Sequence, residues 1–341
     1  MLFTACSQKS GNVTPPWVGP VEEESDSSVF DLSEIQWSGE LIALTLSGPD
    51  TYFDYQGRHL GVHYLLGELF AHQIGVKLRV EVCKDREELL SRLASDEADL
   101  IIYPLDTTDV HAPGWVLAPG KNQLSEALYQ WYRPQMLKEA RLQQEQLLSQ
   151  PRVTRRVFAP MLSAGVISRY DGYFRQYARQ IGWDWRLLAA QCYQESTFDP
   201  NAKSWAGAQG LMQIMPSTAD HLGLRHDQMN DPEQSIAAAT RYLKELEGDL
   251  SMVTSRSERQ NFVLASYNGG LGHIRDAMRL AERDGRDPYR WDEVKAYVLR
   301  LSMPEYYQDP LVHNGYMRGT ETTEYVDNIR ARYLKYRRSV R

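Results

Sequence analysis

From Gly39 the chain alternates short apolar runs with amphipathic stretches. Leu41-Ile42-Ala43-Leu44-Thr45-Leu46 is an apolar run closed by Ser47-Gly48-Pro49, the pattern of a buried strand and a turn. Residues 61–74 set Leu65, Leu66, Leu69, Phe70 and Ile74 at helical spacing. Lys77 to Val82 alternates as a strand does, Glu87 to Leu93 is helical, and Asp99-Leu100-Ile101-Ile102-Tyr103 reads as another strand. The order β-α-β-α-β predicts a parallel sheet with right-handed crossovers. Residues 124–149, with Leu128, Trp131, Tyr132 and Met136, read as one long polar helix that Pro151 ends.

From Ser168 onward the pattern is helical with loops. Trp185, Leu188, Ala189 and Cys192 mark the apolar face of a helix ending near Glu195. Pro216 is suited to the first position of the next helix. Asp231-Pro232-Glu233-Gln234 supplies an N-cap, a first-position proline and a capping-box partner. Ile236, Ala239, Leu243 and Leu246 follow at helical spacing, with Gly248 as the expected stop. Further helices are expected over Phe262 to Tyr267, Ile274 to Ala281, Val294 to Leu301 and Thr320 to Arg338, the last with Tyr325, Ile329 and Tyr333 on one face. The chain has no internal repeat.

A length of 341 residues suggests two domains, each able to bury its own core. The net charge of −7 argues against a nucleic-acid partner. The basic tail of Arg330, Arg332, Lys335, Arg337, Arg338 and Arg341 reads as a solvated helix face. No stretch approaches the ~18 apolar residues of a membrane helix. Cys6, Cys83 and Cys192 are odd in number and far apart, so no disulfide framework is expected, and Cys83 and Cys192 read as small buried residues. His59, His63 and His72 lack a ligand-rich motif, and neither a metal nor a cofactor is expected. Residues 8–37, with Pro15, Pro16, Pro20 and the acidic run from Glu22, bury little and read as a disordered tether.

The candidate chemistry sits in four segments. Glu195-Ser196 ends an apolar helix, where loss of water favours a neutral carboxyl, the form a general acid needs. Gly207-Ala208-Gln209-Gly210-Leu211-Met212-Gln213-Ile214-Met215 has glycines for tight turns and, in Gln213, a donor and acceptor set among apolar neighbours. Ala265-Ser266-Tyr267-Asn268-Gly269-Gly270 puts a phenol and an amide at a helix end, and Glu321-Thr322-Thr323-Glu324-Tyr325-Val326 opens the last helix. Each has an ordinary structural reading alone: a backbone-bonded Glu, a hairpin-like core loop, helix ends.

In this order and spacing the four segments resemble the lytic transglycosylases of the goose-lysozyme-like superfamily, over roughly residues 165–338. A second resemblance lies in front. Gly39 to Thr45, Thr51-Tyr52-Phe53-Asp54-Tyr55-Gln56-Gly57, Gly61 to Leu66 and Glu97 to Ile101 look like the first lobe of an extracellular solute-binding protein. Trp115 to Asn122 resembles that family's return to the first lobe, so the second lobe is missing and its two-lobed ligand clamp with it. Together the modules resemble the membrane-bound lytic transglycosylase F group. The expected fold is α+β multidomain: a small α/β lobe like half of a periplasmic solute-binding protein, then a mainly α lysozyme-like domain. The expected divisions are a signal remnant (1–6), tether (7–37), single lobe (38–150), linker (151–164) and transglycosylase domain (165–341).

The resemblance implies that Glu195 is the catalytic acid and that Ser196, Met212, Gln213, Tyr267, Asn268, Glu321 and Tyr325 contact substrate or line the cleft. It implies non-hydrolytic cleavage of the MurNAc-GlcNAc bond of peptidoglycan, leaving 1,6-anhydroMurNAc ends. A hydrolytic muramidase using the same Glu195, and a silent glycan-binding scaffold, remain as alternatives. Small residues before Cys6 resemble a lipoprotein processing site, although Phe3 stands where Leu is usual and no charged or apolar segment precedes it. That likeness implies a start upstream, lipidation of Cys6 and anchoring in the bacterial envelope, at the outer membrane facing the periplasm.

Overall fold

The structure, a computed structural model, describes residues 30–105, 113–150, 153–154, 156–162 and 165–340. Cys6 and the tether up to residue 29 lie outside the described residues. The last part of the expected tether is helical, as α1 (Leu32–Ser38). Asp31 and Glu34 form a reciprocal capping box at its start, and Gly39 ends it in the left-handed region. Ile35 is buried in the front lobe's core, and Asp31 also accepts from Gln123 N and Leu124 N, capping a second helix. One carboxylate serving two helices outweighs the polar composition that suggested disorder.

The front lobe continues with β1 (Glu40–Leu46), the hairpin β2 (Phe53–Tyr55) and β3 (Arg58–Leu60), α2 (Val62–Gln73), β4 (Lys77–Cys83), α3 (Arg86–Ala94), β5 (Leu100–Ile101), β6 (Val116–Leu117), α4 (Asn122–Trp131) and α5 (Gln135–Ser149). The main sheet has order β4-β1-β5-β6. β1 runs parallel to β4 (Ala43 opposite Val80) and to β5 (Ala43 opposite Leu100), as the alternation of strands and helices predicts. β6 is antiparallel to β5 and leads into α4, so the chain returns to this lobe without building another. The expected single helix over 124–149 is two helices. Tyr132 is extended and Pro134 stands at the start of α5, where a nitrogen without a hydrogen cannot continue the hydrogen-bond ladder of α4.

Within the expected linker, β7 (Val153–Thr154) pairs antiparallel with β8 (Lys203–Ser204) and fastens the junction to the second domain. That domain comprises α6 (Asp171–Ala178), α7 (Trp185–Ser196), α8 (Pro216–His221), α9 (Pro232–Asp249), α10 (Arg256–Gly269), α11 (Leu271–Arg283), α12 (Trp291–Arg300), α13 (Pro304–Tyr307) and α14 (Gly319–Ser339). Asp231 caps α9 through Gln234 N, with Pro232 in the first turn. The helix runs past Gly248 to Asp249, and its C-cap residue Leu250 is buried and holds the final turn. One core gathers Leu188, Leu211, Ile236, Phe262, Val298 and Ile329, and α7 lies inside it between α6 and α14.

The two domains touch through side chains of both. Phe53 and Leu60 of the hairpin pack with Tyr316, whose ring centroid lies 5.0 Å from that of Phe53. Tyr316 N donates to Ser47 Oγ at 2.8 Å. The loop carrying Tyr316 is tied down by the fully buried Asp276, which accepts from His313 N, Asn314 N and Asn314 Nδ2 and pairs with Arg279.

Candidate active site

Glu195 occupies the last turn of α7 and is 2% exposed. The helix stops abruptly because Thr197 and Phe198 both adopt left-handed backbone, φ 51° and 62°. Such conformations cost non-glycine residues roughly 1–2 kcal/mol each. Anchors on both sides hold them: Phe198 is buried against Phe174 and Tyr193, and Thr197 Oγ1 donates to Arg156 O at 2.8 Å. The strained stop leaves Glu195 at the edge of the core rather than inside a continuing helix.

The last helix supplies the carboxyl's partner. Tyr325 of α14 is buried, and its hydroxyl donates to Glu195 Oε1 at 2.5 Å. Gln191, one helical turn before Glu195, donates through Nε2 to that same hydroxyl at 3.3 Å. Glu195 is thus held away from bulk water with a buried phenol as its donor. Burial beside Glu195 also pushes the Cys192 thiol well above its usual range, and Cys192 is an inert core residue here.

The second segment folds back as a tight hairpin-like loop, with bridges from Gln209 to Lys203 and to Ile214. Gly210 is required: its φ is +78° and an added Cβ would lie 2.1 Å from Met229 O. Gln213 stands at φ 50° and donates through Nε2 to Gly210 O and Ala202 O, leaving Oε1 without a hydrogen-bond partner. In the third segment Tyr267 donates to Met212 O at 2.8 Å, and its ring lies 5.5 Å from that of Tyr242. Asn268 Oδ1 accepts from Thr322 Oγ1 at 2.8 Å, tying the third segment to the fourth.

These parts line one cleft of about 1920 Å³. Pockets for single small ligands run to about 300–1,000 Å³, so this one has room for an extended ligand. Of the residues expected at the site, Glu195, Gln213, Tyr267, Asn268 and Glu321 line it. Ser196, Met212 and Tyr325 do not: all three are buried behind the wall. Ser196 is one position round the helix from Glu195, and its hydroxyl donates back to Cys192 O. Met212 contributes its backbone carbonyl to Tyr267, and Tyr325 acts through Glu195. Glu324 is exposed outside the cleft, so of the two glutamates that open α14 it is Glu321 that faces it.

Sequence reasoning missed one wall. Tyr55, Gln56 and Gly57, the tip of the front-lobe hairpin, also line the cleft. Their signal was slight, a Gln-Gly pair between two very short strands, and nothing local says that it reaches the other domain. Gln191 was missed too, though its place four residues before Glu195 on one helix face was available.

Residues 172–289 match the transglycosylase SLT domain family. Membrane-bound lytic murein transglycosylase F of Marinobacter nauticus is 43% identical over 167 residues, covering 49% of this chain and 32% of that protein. The namesake from Shewanella loihica is 34% identical over 273 residues, covering 73% of this chain and 56% of its own length. The chain thus spans from a third to just over half the length of these curated relatives. Among solved structures, the 70 kDa soluble lytic transglycosylase SLT70 of Escherichia coli is 28% identical, covering 50% of this chain and 24% of that one, with a TM-score of 0.37. The arginine-bound form of domain 1 from TmArgBP is 21% identical, covering 31% of this chain and 97% of that one, at a TM-score of 0.26. Residues 172–289 thus carry a match to the transglycosylase SLT domain family, and the chain is similar to proteins of the membrane-bound lytic murein transglycosylase F group.

Proposed function

We propose that this protein is a peptidoglycan lytic transglycosylase with Glu195 as its catalytic acid and base. The observation that carries the reading is a buried carboxyl, hydrogen-bonded by Tyr325, at the floor of a cleft large enough for a glycan strand. Glu195 donates its proton to the oxygen between MurNAc and GlcNAc, and the C1–O bond breaks. The MurNAc acetamido group stabilises the positive charge that develops at C1. Glu195, now ionised, takes the proton of the C6 hydroxyl as that oxygen bonds to C1. The products are a GlcNAc hydroxyl and a 1,6-anhydroMurNAc end; no water is consumed, and Glu195 ends as it began. Gln213, Tyr267 and Asn268 orient the sugar, and Gln213 Oε1 has an acceptor to spare.

Hydrolysis would need a second carboxylate as nucleophile or as base for water. Among the four motif segments Glu321 is the candidate, and Gln56 already engages both of its oxygens; the other carboxylates lining the cleft, Asp54, Asp85, Glu88 and Asp309, lie outside those segments. The non-hydrolytic reading is therefore preferred. Mass spectrometry of the fragments released from purified sacculi tests it, because anhydro products are one water lighter than hydrolysed ones. Anhydro ends support the proposal, and reducing ends in their place would replace it with a muramidase.

The relatives' names say membrane-bound, and the reading extends to the envelope. Murein lies outside the cytoplasmic membrane, so the chain acts there, held by lipid on Cys6 at the outer membrane with the residues before α1 as its leash. Expressed with an export leader, the protein should partition with membranes, and Cys6→Ala should release it. A wild type that stays soluble would remove the anchor from the account and leave the enzyme.

A further inference from the structure

The tip of the front-lobe hairpin bears on the motif that opens α14. Gln56 Nε2 donates to both oxygens of Glu321, at 2.8 and 2.9 Å. A carboxylate only accepts, so the amide must turn its NH2 toward Glu321, and the carbonyl Oε1 is left buried without a hydrogen-bond partner. Gln56 reaches this position in left-handed backbone, φ 53°, followed by Gly57 at φ 76°. A strained non-glycine residue with an unsatisfied buried acceptor is costly, and it persists only where the surroundings over-determine it.

The surroundings do so. Tyr55 stacks on Trp205 with centroids 6.1 Å apart, Arg318 lies over Tyr55 at 5.3 Å, and Arg58 lies over Trp205 at 5.6 Å. Gly57 abuts Met215 so closely that a Cβ would fall 2.7 Å from Met215 Cε. Trp205 and Met215 flank the loop that carries Gln213, and Arg318 immediately precedes the helix that carries Glu321. The hairpin therefore grips two of the four segments that build the cleft.

We infer that the front-lobe hairpin is a wall of the catalytic cleft and that Gln56 is a positioning residue, holding Glu321 in place for a glycan bound against both domains. This deepens the proposed function and rests on it. It also assigns the front lobe a task that needs no second lobe and no small ligand, and it means that the transglycosylase domain alone has an incomplete cleft.

The test uses the full chain. Gln56→Ala should lower kcat/KM on sacculi about ten-fold, the usual scale for a hydrogen bond to a charged group, while the melting temperature stays close to that of the wild type. Gly57→Ala should displace the tip by another route and reproduce the loss. Gln56→Glu sets two carboxylates face to face, a pair that shares one proton only under acid conditions. Its rate relative to the wild type should therefore rise as pH falls, which a merely structural role would not produce. Binding of chitooligosaccharide to the Glu195→Gln chain, followed by tryptophan fluorescence, should weaken about ten-fold when Gln56→Ala is added. Rates within two-fold of the wild type, or above it, with equal binding, would overturn the inference and leave the proposed function standing. A wild type that binds and is weakened by Gln56→Ala, yet releases no anhydro product, would overturn the proposed function instead.

Discussion

Tyr325→Phe is the sharpest probe of the Glu195 environment. The ring stays, so the packing of α14 on α7 is preserved, and only the hydroxyl goes. Two groups lose a partner: Glu195 Oε1, which accepts from that hydroxyl at 2.5 Å, and Gln191 Nε2, which donates to it at 3.3 Å. Both residues are buried, and losing a hydrogen bond at a buried polar group costs about 1–3 kcal/mol. Taking the weaker 3.3 Å contact at the low end, the fold should lose roughly 2–4 kcal/mol in denaturant unfolding. The hydroxyl also stabilises the carboxylate, which in the proposed reaction takes the C6 proton in the second half. Losing a donor to the charged form favours the protonated acid. The alkaline limb of the rate profile should therefore move to higher pH, while kcat falls about 10–100-fold, the equivalent of roughly 1.4–2.8 kcal/mol. Initial rates on sacculi across the pH range, beside a urea melt, measure all three. An unmoved alkaline limb with unchanged kcat would refute the idea that this phenol governs the acid.

Gly210→Ala should unfold or severely destabilise the domain, by about 3 kcal/mol or more on the scale of forced backbone shifts. The new Cβ would meet Met229 O at 2.1 Å, and circular dichroism melts check the outcome. His63 accepts a hydrogen bond from Trp115 Nε1 at 3.0 Å, and burial lowers its pKa from 6.5 to about 4. Its depressed value means that the unfolded chain binds the proton first. The stability it contributes is complete above pH ~6.5 and is lost as pH falls toward about 4, up to about 3 kcal/mol at 1.36 kcal/mol per unit. Unfolding free energies between those pH values, with His63→Gln showing a flatter dependence, test this.

The sequence was most informative where local pattern and burial agree. The run from Leu41 is a strand because both faces of β1 are covered, and Asp231 caps α9 as expected, although Gln234 does not reach back and Asp231 N donates to Gln228 O instead. Glu195 was legible because an apolar helix face ends at it. Helix α1 was hidden because its strongest tie, Asp31 to Gln123 N and Leu124 N, spans 92 and 93 residues, a separation that composition cannot register. The break at Pro134 was legible and was overridden by the polar periodicity on either side of it.

The site was harder, since a motif records which residues matter and not which atoms face the ligand. Ser196, Met212 and Tyr325 belong to the right segments, yet they hold the wall from behind. Gln56 belongs to none of the four segments that carry the candidate chemistry. Its role depends on Tyr55 meeting Trp205 and Gly57 meeting Met215, contacts between domains that only the assembled fold creates.

The central claim is that Glu195 moves the proton in a reaction that consumes no water. The most direct measurement is the rate at which wild type and Glu195→Gln release anhydromuropeptides from the same sacculi, with melting curves for both. Glutamine keeps the size and the hydrogen bond to Tyr325 but cannot transfer a proton, so the account predicts a loss of at least about 10²–10⁴-fold with an unchanged fold. Near-normal release of anhydro products by a folded Glu195→Gln would contradict it.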